Sequence, residues 1–312
     1  MLTMLLKIAS IFCMVAVGYI ANKKNVLPME SNKYFVDLMM KITTPCMIIG
    51  SMSTNTLTED SLRQTIEVIV GSLVYFVVGS LVAFGLAKLL GGPKEDQGIL
   101  MVVITAVNTG FMGFPVTKSV FGDEMFFLMV IENQILTVYL YFISVIQMNY
   151  GHKKGGSLKE IIKPLCNLCT LAAIIGFIIF FCGIKLPVIA QDFFNTIGDA
   201  TVPVSMIVVG IQLGNSDLKK IIKNGRLILA SLLNVIFMPF LTFLAVNWLP
   251  LTNAGKLILV YAAAFPCAVI TVAVASKEGR NADLMAEGVA LTTLFSIVTL
   301  PVISLLLMGL YC

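Results

Sequence analysis

The sequence predicts an all-α integral membrane protein of ten transmembrane helices, arranged as two inverted five-helix repeats. Three observations carry that expectation. Hydrophobic residues fill 58% of the 312 positions, charged residues only 12%, and mean hydropathy is +0.96. A soluble domain carries roughly a quarter charged residues, so a water-facing surface could not be covered. The charges also gather in short islands between apolar runs of about 20 residues, the length that crosses a hydrocarbon core of roughly 30 Å. Finally, proline and aromatic landmarks recur in order in the two halves of the chain.

The first apolar run, Leu2 to Ala21, is expected as a membrane helix and not a secretory signal. A signal carries its positive charges ahead of the run, whereas Lys23 and Lys24 follow it here. The runs place spans at 3–22, 34–53, 66–90, 98–120 and 125–147, then at 164–184, 190–213, 226–248, 255–277 and 284–309. The longest connector, 149–163, holds GHKKGGSLKE and reads as a flexible basic linker. It divides the chain into a first five-helix repeat, 1–148, and a second, 164–312.

Orientation follows from the positive charges in the loops. Fifteen Lys and Arg fall on the linker's side (Lys23, Lys24, Lys33, Lys88, Lys94, Lys153, Lys154, Lys159, Lys163, Lys219, Lys220, Lys223, Arg226, Lys277 and Arg280). Five fall on the other (Lys7, Arg63, Lys118, Lys185 and Lys256). The linker is therefore expected in the cytoplasm and both termini outside a plasma membrane. The same rule accounts for the basic face without nucleic acid, and attraction to anionic membrane lipid is an added consequence.

An odd number of spans per half inverts the second half relative to the first. Phe35 and Pro45 in span two match Phe193 and Pro203 in span seven, 158 positions on. Pro28 matches Pro187 at an offset of 159, and Phe114-Pro115 in span four matches Phe265-Pro266 in span nine at 151. Three matches in order indicate an internal repeat.

Spans four and nine hold the candidate site. Asn108-Thr109-Gly110-Phe111-Met112-Gly113-Phe114-Pro115 interrupts an otherwise apolar helix with two helix-weakening glycines and a proline. Span nine carries Phe265, Pro266 and Cys267 at its midpoint. Two broken helices at corresponding places point to a transporter binding site. Their half-helix N-termini, with free N–H groups, favour an anion, most simply a carboxylate. Candidate substrate-binding residues are thus Asn108, Thr109, Gly110, Gly113, Pro115, Phe265, Pro266 and Cys267. The plainer alternative is close helix packing and kinking.

The run NTGFMGFP resembles the signature of the auxin efflux carrier family, which includes plant auxin exporters and bacterial malate and malonate permeases. The second half is similar to that family at Pro203, Gly210 and Leu213, at Pro266, Ala268 and Ala275, at Gly279, Asn281 and Asp283, and from Thr292-Thr293 through Ser296 to Pro301. The resemblance covers the whole chain. It implies an inverted five-plus-five fold like that of bile-acid/sodium symporters and sodium/proton antiporters. Spans 1, 2, 6 and 7 would form a scaffold, often a homodimer, and spans 3–5 and 8–10 a mobile transport unit. The short linker makes the chain similar to bacterial members, placed in the inner membrane.

Polar residues inside membrane spans are functional candidates. Glu132, Asn133 and Gln134 lie within span five, where Glu132 either couples transport to an ion or hydrogen-bonds a neighbouring helix. Asn234 in span eight is a further candidate. Lys41 and Asp199, four positions before Pro45 and Pro203, are read as scaffold charges that form local ion pairs or snorkel, or else pair with each other or flank the substrate path. A metal site is not expected, because the one histidine, His152, lies in the linker and the cysteines (Cys13, Cys46, Cys182 and Cys267, with Cys166 and Cys169 as a lone CxxC) sit mostly in apolar runs. No cofactor is expected, and coupling to Na⁺ or H⁺ stays open. These readings converge on a secondary active carrier of a small organic anion such as malate or an auxin-like acid, working by elevator-type alternating access. The alternative is a membrane-embedded sensor of such a carboxylate. No catalytic constellation that would make it an enzyme is visible.

Overall fold

The computed structural model describes residues 2–152, 167–216 and 223–311. The linker from Lys153 to Lys163 and Cys166 of the CxxC pair lie outside the described residues, as do Lys219 and Lys220. Among the described residues every regular element is a helix. Seven stretches are long and apolar enough to cross a membrane: Leu6–Lys23, Met29–Thr54, Glu59–Leu90, Lys94–Met148, Val188–Asn215, Gly225–Asn247 and Ala282–Tyr311.

Four of the ten expected spans do not stand as separate long helices. Spans four and five run together through the 55-residue stretch Lys94–Met148. Span six is described only as the 14-residue helix Leu168–Phe181. Span nine is split into pieces of 11 and 8 residues, each too short to cross alone. Outward-facing apolar side chains accompany the long helices. On Glu59–Leu90, Ile66, Val70, Leu73, Val74, Val77, Val78 and Leu81 are all exposed, a contiguous stripe of the kind that lipid covers.

The chain forms two compact units. The first comprises Met1–Ile66, Gly110–Ile131 and Cys166–Asn215. It contains α1 (Leu2–Lys23), α2 (Met29–Leu38), α3 (Thr44–Thr54), α8 (Leu168–Phe181), α9 (Val188–Asp199) and α10 (Thr201–Asn215). Helix α1 packs along α10. A β-carbon on Gly18 would strike the Ile207 carbonyl, and one on Gly210 the Val15 carbonyl. With lipid as apolar as any side chain, such backbone-to-backbone approach supplies the dispersion contact that holds membrane helices together. Helix α3 lies against α8 and α9. Gln191 ties α9 to α3, donating to the Gly50 carbonyl at 2.9 Å and accepting from the Ser53 hydroxyl at 2.5 Å.

The second unit comprises Glu67–Thr109, Glu132–Leu165 and Ser216–Cys312. It holds most of α4 (Glu59–Leu90), all of α5 (Lys94–Thr105), the end of α6 (Phe114–Tyr141) and α7 (Ile143–Met148). It also holds α11 (Gly225–Leu232), α12 (Met238–Asn247), α13 (Asn253–Ala263), α14 (Ile270–Lys277) and α15 (Ala282–Tyr311). Helix α15 is its hub, packing on α5, α11, α13 and α14. The buried Glu67 carboxylate of α4 accepts from the Thr252 N–H at 2.9 Å and its hydroxyl at 2.5 Å. Thr252 in turn accepts from the Gly255 N–H at 3.1 Å. An acid thus caps α13 from a distant helix, where unpaired N–H groups and the helix dipole favour negative charge.

Among the described residues three π-helical turns occur, at Met39–Thr43, Thr109–Gly113 and Leu233–Phe237. Each ends two residues before a proline, Pro45, Pro115 or Pro239. A proline lacks the N–H of an α-helical bond and its ring crowds the carbonyl four residues back. Widening the preceding turn moves that carbonyl aside, so the helix continues instead of stopping.

Candidate functional site

Helix α5 stops at Thr105, in the middle of a buried stretch. Ala106 is extended (φ −69°, ψ 139°), and helical geometry resumes only at Thr109. The break therefore precedes the glycines and Pro115, since the π turn accommodates the proline and leaves Ala106–Asn108 as the interruption. In span nine, α13 ends at Ala263 and α14 begins at Ile270, with Phe265, Pro266, Cys267 and Ala268 between them. Both breaks are buried, Asn108 at 2% exposure and Phe265 and Cys267 at 0%.

A helix end leaves its last carbonyls without partners, and within hydrocarbon each must be satisfied by the protein. Asn234 does this for α5. Its Nδ2 donates to the Ile104 carbonyl at 3.0 Å and to the Ala106 carbonyl at 3.1 Å. The Tyr75 hydroxyl of α4 donates to the Thr105 carbonyl at 3.3 Å. At the other break, the Cys267 N–H donates to the Thr292 hydroxyl of α15 at 3.1 Å, and the Cys267 thiol reaches the Val102 carbonyl of α5 at 3.9 Å. That last contact brings the two breaks together inside the second unit.

Glu132 and Asn133 join them from α6. The Thr109 hydroxyl hydrogen-bonds the Glu132 carboxyl and accepts from Asn133 Nδ2 at 3.0 Å. Glu132 is 2% exposed, and its Oε2 is buried without a hydrogen-bond partner. Gln134 follows, half-buried, on the same helix. Asn108, Thr109, Glu132, Asn133, Asn234, Phe265, Pro266 and Cys267 all belong to the second unit, whereas Gly110, Gly113 and Pro115 belong to the first.

The pairing of Lys41 with Asp199 is not formed. Lys41 pairs with Asp37 one turn back on its own strand of helix, at 3.0 Å. Asp199 accepts from Lys118 at 3.0 Å, with Asp123 3.8 Å from the same ammonium. The partner one helical turn away is always within reach of Lys41, so the local pair wins. Tyr75 is not legible in the sequence, because one hydroxyl within an apolar helix carries no pattern of its own. Thr292 lies in the stretch that carries the family resemblance, but only the fold brings its hydroxyl to the broken span nine.

A cavity of about 540 Å³ in the second unit is lined by Val235, Ile236, Phe240, Val298, Val302, Leu306 and other residues of α12, α13, α15 and the π turn at Leu233–Phe237. Its lining is almost wholly apolar and offers nothing to orient a carboxylate, so it is not the candidate site.

Residues 3–304 match the family model described as membrane transport protein. The chain belongs to that family. This is the auxin efflux carrier family that the NTGFMGFP motif resembles. The transporter is 26% identical to an uncharacterized transporter of Methanocaldococcus jannaschii, over 93% of this chain and 94% of the relative. It is 24% identical to an uncharacterized transporter of Methanothermobacter thermautotrophicus, over 96% and 97%. The uncharacterized transporter YfdV of Escherichia coli is 21% identical over 93% of both chains. A multi-pass membrane transporter is therefore the class to which this protein belongs.

Proposed function

We propose that the protein is a secondary active transporter of a small organic anion, a mono- or dicarboxylate such as malate, working by alternating access. The observation that carries this reading is the meeting of two interrupted helices in one buried, polar cluster of the second unit. Discontinuous helices lining such a cluster are what substrate sites of inverted-repeat transporters are built from. The half-helix starting at Thr109 presents an N-terminal turn beside Asn108, and partial positive charge there suits a carboxylate. Phe265, Pro266 and Cys267 would supply the opposing wall.

The ten-span inverted-repeat architecture belongs to the same proposal, with the linker in the cytoplasm and both termini outside. Its scaffold is spans 1, 2, 6 and 7, and its moving part is spans 3–5 and 8–10 in an elevator-type cycle. The two compact units support that division in most elements: α1–α3 and α8–α10 fall in one and most of α4 and all of α5, α7 and α11–α15 in the other, although Gly110–Ile131, with most of α6, falls with the first. A homodimer in the bacterial inner membrane completes the reading.

The test is uptake of radiolabelled malate, with a panel of other carboxylates, into proteoliposomes of wild type, Asn108→Ala and Pro115→Ala. Saturable uptake lost in both variants, each still eluting as folded protein, is the expected result. Uptake of none of the carboxylates beside a working reconstitution control overturns the organic-anion reading and favours a sensor or a neutral substrate.

A further inference from the structure

Among the described residues Glu132 is the one carboxylate within the polar cluster at the helix breaks. Its surroundings are neutral. The groups beside it are the Thr109 hydroxyl and the phenol of Tyr75 on α4, and next to Tyr75 lie the Cys267 thiol of the second break and the phenol of Tyr139. No Lys, Arg or His among the described residues forms an ion pair with it. An ionised carboxylate at this depth, with no cation beside it, is expensive. The carboxyl lies beside the Thr109 hydroxyl, itself braced by Asn133, and its Oε2 is buried without a hydrogen-bond partner. An acid built in this way is ready to hold a small cation on its open oxygen. A transition-metal or divalent ion gathers several anionic ligands, and no group of three or more His, Cys, Asp or Glu stands together among the described residues; Na⁺ is separated from a proton by the gradient arm of the experiment below. A proton requires only the one oxygen.

We propose that Glu132 is the proton-carrying group of this transporter, coupling carboxylate movement to the proton gradient. The carboxyl's O–H bond breaks as a water on one side of the membrane gains the proton and becomes hydronium, and it re-forms as a hydronium on the other side gives up a proton and becomes water. One proton crosses in each cycle. Thr109 and Asn133 are positioning residues that keep the acid's second oxygen at the break. The proposal rests on the carrier reading above, and the experiment separates the two.

Wild type, Glu132→Gln and Glu132→Asp are compared in two measurements. The first needs no substrate: infrared difference spectra of the reconstituted protein between acid and alkaline buffer. The expected result is a protonated-carboxyl band in wild type, displaced in E132D and absent in E132Q. The second is accumulation of radiolabelled carboxylate under an imposed pH gradient. One proton per substrate gives a change of up to about tenfold for each pH unit of gradient. The expected result is that this response is lost in E132Q and partly kept in E132D, whose melting temperature reports that it is folded. An unchanged band in E132Q, an equal pH-gradient response in E132Q, or wild-type accumulation that follows only a sodium gradient each overturns the proposal. A band that disappears in E132Q, in protein that moves none of the carboxylates, supports the proton site and overturns only the substrate reading.

Discussion

Asn234 stands where a helix ends inside a membrane and its carbonyls would otherwise face hydrocarbon. Both N–H bonds of one side-chain amide are used there, on the Ile104 and Ala106 carbonyls. The amide sits on a π turn at 0% exposure, so no water replaces it. Asn234→Leu is therefore expected to lower stability by about 1–3 kcal/mol, the penalty for leaving buried acceptors unsatisfied, and to abolish transport by loosening the break. Thermal unfolding in detergent measures the first, and an unchanged melting temperature would show that the carbonyls find other partners. The sequence offered Asn234 only as a polar residue in a span. That it serves the break of a different helix, about 130 positions away, was not legible, because the pairing depends on which neighbour α5 packs against.

At the scale of single elements, glycines decide how the helices turn and approach. Gly122 divides α6 at φ 84° and ψ −171°, a conformation open essentially to glycine alone. A β-carbon there meets nothing within 4 Å, so the cost of Gly122→Ala is backbone strain only, about 1–3 kcal/mol. Gly85 also has open space around it but lies within a regular helix. Gly85→Ala should leave stability unchanged or raise it by up to about 1 kcal/mol. Melting temperatures of the two variants make the comparison, and equal effects would refute the backbone argument. Gly210 is a different case, because the obstacle is the Val15 carbonyl and the Tyr19 amide of the facing helix, which cannot rotate aside. Gly210→Leu and Gly18→Leu are each expected to cost about 1–3 kcal/mol by overpacking. Combined, they should cost less than their sum, because either one already separates α1 from α10. The motif's glycines and Pro115 announced a broken helix, yet the break sits ahead of them. Proline chemistry is visible in a sequence, but whether a helix stops or widens into a π turn depends on what packs around it.

At the scale of the molecule, the distribution of positive charge makes the strongest commitment. Fifteen basic residues against five orient the proposed topology. In a cysteine-free background, His152→Cys is expected to escape a membrane-impermeant maleimide in intact cells and to react in inverted vesicles. Lys185→Cys should do the reverse, and the opposite pattern would overturn the orientation. Of the two readings for Lys41 and Asp199, the local ion pair formed and the Lys41–Asp199 bridge did not. Symmetric numbering placed the two charges at matching positions, but a salt bridge needs atoms within about 4 Å, and closer partners stood at Asp37 and Lys118.

Membrane residence, the helical class, the family and the two interrupted spans were determined by the sequence alone. Each rests on composition, run length or residues that cannot sustain a regular helix, all of which act locally along the chain. Only the tertiary structure decided where the breaks fall, which side chains satisfy the freed carbonyls, and that Glu132 keeps one oxygen open beside Thr109. Those depend on contacts such as Asn234 to Ile104, Cys267 to Val102 and Tyr75 to Thr105. Distance in space, not position in sequence, determines a hydrogen bond.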